Sequence, residues 1–229
     1  KLISNYLNIS FGRKRFEDFH HYLVKLKNVP AFSFMEEAEN FQHYHHLKLM
    51  VLVATGQLDE AKELVPVILA GVEKYQHCIN PNRKLTILSN VAHLNLLANN
   101  KDEAQLVAQQ IISDKGEWRI DTRISARFLN ILIKFDEADQ KYLKLLGQNL
   151  MSYLRTTSLP DDKLPIFESI VQQLNEIKKT GNRDLFDSLI TEIETEEFAG
   201  QPILLVWLRS RITGKSLREI YSQYIKTGS

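Results

Sequence analysis

The sequence has few of the residues that mark a specific chemistry or a cross-linked fold. Its single cysteine, Cys78, excludes an intramolecular disulfide and a cysteine-rich zinc site, and is typical of a reducing compartment such as the cytoplasm. Nine glycines and six prolines among 229 residues provide few turn signals. Almost none of these residues flank segments with the pattern of a β-strand. No apolar run approaches the roughly 20 residues needed to span a bilayer, so we expect no membrane segment.

An excess of charge of either sign is also missing. Lysine and arginine total 29, and aspartate and glutamate total 28, so the net charge of +1 supplies no bulk field for nucleic acid or an anionic membrane. The sequence lacks a glycine-rich phosphate loop, a His-Glu-x-x-His motif, a Gly-x-Ser-x-Gly motif and a dinucleotide fingerprint. We therefore expect a protein that has no cofactor, is not an enzyme and does not bind nucleic acid.

What the chain has in abundance is helical periodicity. Apolar residues recur at spacings of three and four, and strict alternation is scarce. Ser33 with Glu36, and Ser216 with Glu219, fit capping boxes, while Pro66 should kink or tighten the helix that contains it. The patterns predict twelve helices, at residues 2–10, 14–28, 34–54, 58–75, 83–98, 101–113, 121–136, 139–155, 162–179, 183–196, 202–213 and 216–226.

A short turn sequence recurs between these segments. Thr-Gly-Gln-Leu-Asp-Glu-Ala at 55–61 returns in degenerate form around Asn99 and Gly181, and an earlier copy lies at Gly12. Gly12 and Gly56 are 44 residues apart, Gly56 and Asn99 are 43 apart, and Asn99 and Gly181 are 82 apart, or two steps of 41. The missing step predicts a fifth turn at 136–140. A period near 42 residues indicates an array of stacked helix pairs.

The residues around the turn resemble the tetratricopeptide repeat motif. That family has a glycine between two helices and a small residue five positions later, an offset kept by Gly56 with Ala61 and, with asparagine for glycine, by Asn99 with Ala104. The period here exceeds the family's 34 residues, and its first-helix aromatic positions carry other side chains. HEAT and armadillo arrays share the period but usually not this acidic turn. Residues 120–133 are similar to uncharacterised bacterial tetratricopeptide-like proteins.

The resemblance implies an all-α fold, a right-handed superhelical stack of antiparallel helix hairpins in a tetratricopeptide-like α-solenoid. We expect one domain over residues 1–229, with about five hairpins in 1–200 and a cap of two helices in 201–229. The chain begins at Lys1 rather than at methionine, so we also expect a fragment of a longer protein. In such an array the first helix of each pair lines a concave groove that binds a protein or peptide.

Two arginines could serve that groove. Arg123 and Arg127 are four residues apart, so both guanidinium groups can point the same way from one helix and hold a peptide carboxylate or a phosphate. The more ordinary interpretation is an ion pair with Glu103, Asp121 or Asp136. Together with residues expected on the neighbouring part of the groove, the candidate peptide-binding residues are Asn90, His93, Arg119, Arg123 and Arg127.

Histidines form the one unusual cluster of potential metal ligands, since five of the seven lie at positions 20, 21, 43, 45 and 46. His43 and His46 are three residues apart and share a helix face, so with His20 or His21 they could provide three nitrogen ligands. The alternative, which we favour, is that they are half-buried residues of amphipathic helices. We therefore expect no metal site.

Composition and architecture together predict a non-enzymatic scaffold that binds a protein or peptide by shape and side-chain complementarity. Two alternatives stay open. The chain could be the sensor or dimerisation module of a regulator whose effector domain lies outside it, or a metal-dependent enzyme that uses the histidine cluster. No oligomeric state is predicted.

Overall fold

The computed structural model describes residues 2–13, 15–16, 19–116, 118–157, 163–196, 198 and 200–227. Over these residues the chain is all-helical and has no strand, which confirms the predicted all-α class. The described helices are α1 (Leu2–Gly12), α2 (Phe19–Lys27), α3 (Phe34–Ala54), α4 (Leu58–Lys74), α5 (Pro81–Leu97), α6 (Lys101–Ser113), α7 (Ile120–Lys134), α8 (Gln140–Arg155), α9 (Leu164–Thr180), α10 (Asp184–Glu194), α11 (Gln201–Thr213) and α12 (Leu217–Thr227).

Each predicted helix corresponds to one helix of the structure, and every end but one agrees within two residues. The exception is α2, which is predicted to begin at residue 14 but begins at Phe19, since residues 15 and 16 are not helical. Positions 14, 17, 18 and 162 of the predicted helices lie outside the described residues. Helix α4 stays α-helical through Pro66, so the tightened turn expected there is not formed. The capping box at Ser216 and Glu219 is reciprocal, with bonds of 2.9 and 3.2 Å.

The recurring turns share a left-handed residue. Gly56, Asn99 and Gly181 have φ angles of 76°, 61° and 67°. At Gly56 and Asn99 the amide of that residue donates to the carbonyl three positions earlier, at 3.0 and 2.9 Å, and the next amide donates five positions earlier, at 2.8 Å in both. This is the Schellman pattern of helix ends. Ala61 and Ala104, five residues later, are completely buried.

The first and fifth turns are built differently. Gly12 is the last residue of α1 and has no positive φ, so the expectation of a matching turn at Gly12 is wrong in its geometry. The fifth turn lies between α7 and α8, where the spacing predicts it, but it contains no left-handed residue. Instead, Lys178 Nζ of α9 donates to the carbonyls of Phe135 and Asp136 at 2.7 and 3.2 Å. A cation thus satisfies carbonyls at the end of α7 in the turn that lacks a left-handed residue.

By its internal contacts the chain divides into two compact units, Lys1–Leu94 and Asn95–Ser229. In the first unit, Leu7 of α1 packs in a buried cluster with Phe19, Leu23 and Leu26 of α2 and with Leu47 of α3. Gly71 of α4 lies directly under the Phe41 ring, because an added Cβ would come within 2.1 Å of that ring. The small residue therefore sets how closely α3 and α4 approach.

The second unit is organised around α7, which is buried along most of its length, including Phe128, completely buried. Trp207 of α11 is 1% exposed and meets Phe135 edge-to-face, with ring centroids 5.0 Å apart. Of the two helices predicted as a cap, α12 has the exposed amphipathic character of a cap, whereas α11 is a core helix. The single superhelical domain stays a prediction.

A pair of glycine substitutions tests the role of the left-handed turn. An added Cβ meets nothing within 4 Å at either Gly181 or Gly12, so the two sites differ only in backbone conformation. We expect Gly181→Ala to lower the free energy of unfolding by about 1 kcal/mol, because L-residues disfavour the left-handed region. Gly12→Ala, in a helical conformation, should leave it unchanged or raise it by up to about 0.5–1 kcal/mol. Urea unfolding measures both, and equal losses would contradict the assignment.

A lysine pair tests the cation-capped turn. Lys178→Met removes both bonds to the end of α7, and we expect it to lower the free energy of unfolding by about 1–2 kcal/mol in urea titrations. Lys179 is the matched control, because it is exposed and its one ion pair among the described residues is with Glu176, at 3.6 Å on the same helix. Lys179→Met should therefore change stability by less than about 0.5 kcal/mol. An equal response of the two variants would rule out the capping role.

Candidate functional site

Two of the three predicted groove arginines are held by carboxylates within the second unit. Arg119 Nε donates to Asp121 at 2.8 Å, and Arg123 Nη2 donates to Asp114 at 2.6 Å. The hydrogen bond that Arg119 donates to the Asp121 carboxylate raises the pKa of Arg119. The expected ion pair of Arg123 or Arg127 with Glu103, Asp121 or Asp136 is not formed among the described residues, and Asp121 binds Arg119 instead. Asp114 as the partner of Arg123 was not foreseen, since it lies in the loop before α7.

Arg127 is in a different situation. Its guanidinium stacks on the Tyr153 ring, 3.6 Å from the centroid, and its Nη1 donates to the backbone carbonyl of Arg123 at 3.2 Å. No ion pair among the described residues includes Arg127. Burial, and then the charge of Arg123, lower its pKa. A half-buried guanidinium without a carboxylate partner can accept an anionic ligand.

A cleft of about 410 Å³ surrounds this guanidinium, which we call the Arg127 cleft. Helix α7 forms its floor and helices α6 and α8 its walls. Most of its polar lining is carboxamide, and Asn130 Oδ1 is buried without a hydrogen-bond partner. Its lining residues are Gln109, Ile112, Arg127, Asn130, Tyr142, Leu146 and Asn149.

The first unit has a cleft of similar size, about 440 Å³, which we call the Lys48 cleft. Helix α3 forms its floor, with the end of α2 on one side and α4 on the other. The His45 ring contacts the Phe41 ring at a tilt and the Tyr44 ring edge-to-face, with centroid separations of 4.6 and 4.9 Å. Burial, and then the charges of Lys48 and Lys27, lower the pKa of His45 to about 4. The lining residues are Leu26, Lys27, Asn40, Phe41, Tyr44, His45, Lys48, Leu64 and Val67.

The two clefts occupy the same position of the repeat. A shift of 82 residues, the separation of Asn99 and Gly181, converts five residues of one lining into five of the other. It also relates buried Ile68 to buried Leu150, both 0% exposed. The paired positions are Lys27 and Gln109, His45 and Arg127, Lys48 and Asn130, Leu64 and Leu146, and Val67 and Asn149.

A third copy of this position is closed. A further shift of 43 residues takes Arg127 to Ile170, which is completely buried. The same shift takes Asn130 to Gln173 and Asn149 to Glu192, and these two side chains bond each other across α9 and α10. The same position between neighbouring helices therefore recurs three times along the chain. Its side chains determine whether a cleft is present there. Sequence reasoning singled out Arg127 but missed both clefts.

The remaining candidates of the predicted groove lie in the first unit, on α5. Asn90 and His93 are half-buried there, and burial lowers the pKa of His93 to about 4. The arginines belong to the second unit. A common groove for these residues stays a prediction.

The histidine cluster does not assemble into a metal site in the part of the chain that the structure describes. No group of three or more histidine, cysteine or acidic side chains there could hold a metal ion. His43 Nδ1 instead lies 3.0 Å from Ser4 Oγ, His46 is buried, and His20 is exposed. The favoured interpretation of half-buried helix residues holds for His43 and His45, whereas His46 is buried and His20 and His21 are exposed.

Comparisons with known proteins add no relative: no protein-family model matches the chain, and no curated protein or solved structure is significantly similar to it. Among the described residues, no helix is both long enough and apolar enough to cross a membrane.

His45 predicts a pH dependence of stability. Because its pKa is lowered from 6.5 to about 4 in the folded state, the unfolded state binds more protons between these values, and stability is lost as the pH falls through this window. We expect the partly exposed ring to account for roughly 1–3 kcal/mol of the free energy of unfolding. His45→Gln should make the loss between pH 7 and 4 less steep in urea titrations, whereas His20→Gln at an exposed site should not. Identical slopes in all three proteins would contradict the assignment.

Proposed function

We propose that the chain is a non-enzymatic binding scaffold that holds an acidic peptide or protein segment in the Arg127 cleft. The observation that carries this proposal is a half-buried guanidinium with no ion pair among the described residues, in a cleft whose other polar groups are mainly carboxamides. Arg123, one turn earlier, is neutralised by Asp114. Arg127 is thus the cation left for a ligand.

The side chains around Arg127 suit a peptide. A guanidinium binds a carboxylate through two parallel hydrogen bonds, and stacking on Tyr153 orients its plane before the ligand arrives. Each carboxamide of Gln109, Asn130 and Asn149 offers both a donor and an acceptor, as a peptide backbone does.

The helical framework supports the same proposal. We infer a right-handed tetratricopeptide-like solenoid from the period and from the matching turns at Gly56 and Asn99. Rigid helices hold cleft residues in place before binding, which reduces the ordering cost of association. The near-neutral net charge of +1 favours a protein partner over nucleic acid.

A selected peptide provides the test. Random peptides displayed against the folded chain should be enriched in aspartate or glutamate, and we expect Arg127→Met to bind the best of them at least tenfold more weakly in fluorescence anisotropy, because a charge-assisted contact of at least about 1.4 kcal/mol is lost. Arg183→Met is the matched control, since Arg183 is exposed at the start of α10. Selection of peptides that lack acidic residues and bind both variants equally would overturn the proposal.

A further inference from the structure

The Lys48 cleft has the architecture of the Arg127 cleft but a different set of polar and apolar side chains. At two paired positions carboxamides give way to lysines, since Lys27 corresponds to Gln109 and Lys48 to Asn130. At a third, Val67 takes the place of Asn149. The carboxamides that suit a peptide backbone are thus replaced by cations and by an apolar side chain. The Lys48 cleft therefore suits a different ligand.

The apolar side of the Lys48 cleft is accessible to solvent, and its aromatic ring is held by packing. Val67 is 52% exposed, so a hydrophobic side chain of α4 faces solvent at the cleft. The Phe41 ring is fixed against Gly71 and lies 5.2 Å from the Tyr75 ring. Leu26 and Leu64 complete the apolar lining from α2 and α4. Covering such a surface with hydrocarbon is favourable by about 0.8 kcal/mol for each buried methylene.

The charges leave one cation in excess. Lys48 Nζ lies 3.4 Å from Glu60 Oε1, so that pair is close to neutral. Lys27 is exposed at the end of α2, and no ion pair among the described residues includes it. The site as a whole therefore suits a single negative charge next to an apolar body. Its volume of about 440 Å³ is that of a small-molecule pocket.

We propose that the Lys48 cleft binds a small amphipathic monocarboxylate, a medium-length aliphatic acid. Its hydrocarbon chain lies against Phe41, Leu64 and Val67, and its carboxylate lies at Lys27, within reach of Lys48. This site is separate from the peptide site of the second unit and does not depend on it.

Decanoate and decanol provide the first test, because they share the hydrocarbon chain and differ in charge. Both are titrated into the whole chain below their aggregation concentrations and followed by calorimetry and by amide chemical shifts of α2, α3 and α4. We expect saturable one-to-one binding of decanoate, at least tenfold tighter than that of decanol. Equal affinity for the two, or no saturable binding of decanoate, would overturn the proposal.

Exchanging cleft residues for those at the paired positions of the Arg127 cleft tests where decanoate binds. Lys27→Gln and Val67→Asn install the residues of the second cleft at the paired positions, where the same helical framework carries Gln109 and Asn149. We expect Lys27→Gln to weaken decanoate about tenfold and leave decanol unchanged, and Val67→Asn to weaken both about fivefold.

Two variants on α2 are the matched controls. Lys25→Gln and Val24→Asn change exposed residues of the same types outside the cleft lining, and both should bind decanoate like the unaltered chain. Arg127→Met should also bind decanoate normally, which separates this proposal from the peptide site. If Lys27→Gln and Val67→Asn, folded as shown by their circular dichroism, bind decanoate as tightly as these controls, the ligand lies elsewhere and the proposal is wrong.

Discussion

The pair of backbone hydrogen bonds around a left-handed residue is the constraint on which the rest of the described structure depends. At Gly56 and Asn99 it ends one helix and sets the direction of the next. Because the following helix begins at a fixed distance, the fifth residue after each of the three left-handed turns is buried, as Ala61, Ala104 and Phe186 show. Between α7 and α8, where no left-handed residue is present, the bonds from Lys178 to Phe135 and Asp136 hold the turn, and equivalent side chains still line equivalent clefts.

The accuracy of the sequence prediction follows from how local each feature is. A left-handed turn depends on a few adjacent residues, so Gly56, Asn99 and Gly181 could be recognised from composition and spacing alone. The hydrogen bond from Lys178 to the carbonyl of Phe135 joins residues 43 positions apart, so no local sequence pattern predicts it. Both clefts need side chains from three helices at once. The 82-residue correspondence was present in the sequence, but only the structure shows that these positions line a cleft.

The repeat separates the shape of a site from its chemistry. At one repeat position the chain has Lys48 in an apolar cationic cleft, Asn130 in a carboxamide cleft, and Gln173 bonded to Glu192 in a closed one. The helices supply the same concavity each time, because the turns fix their spacing. Under our two proposals, side chains alone then decide between two kinds of ligand and none. This division explains how a chain with no catalytic motif can still offer more than one binding chemistry.

The position of Arg127 shows why this residue, among several arginines, is the one suited to a ligand. Burying a charge is costly unless a counter-charge and hydrogen bonds compensate for it, and Asp114 compensates for Arg123. At the positions equivalent to Arg127, the chain has a histidine kept neutral at pH 7 by its lowered pKa, His45, and an aliphatic side chain, Ile170, so neither repeat bears the cost of a buried charge. Of these three equivalent positions, that of Arg127 is the one with a permanent cation, which is half-buried with a ring and a carbonyl as its contacts. A carboxylate ligand would supply the missing counter-charge, and binding would remove the electrostatic penalty that folding leaves at this site.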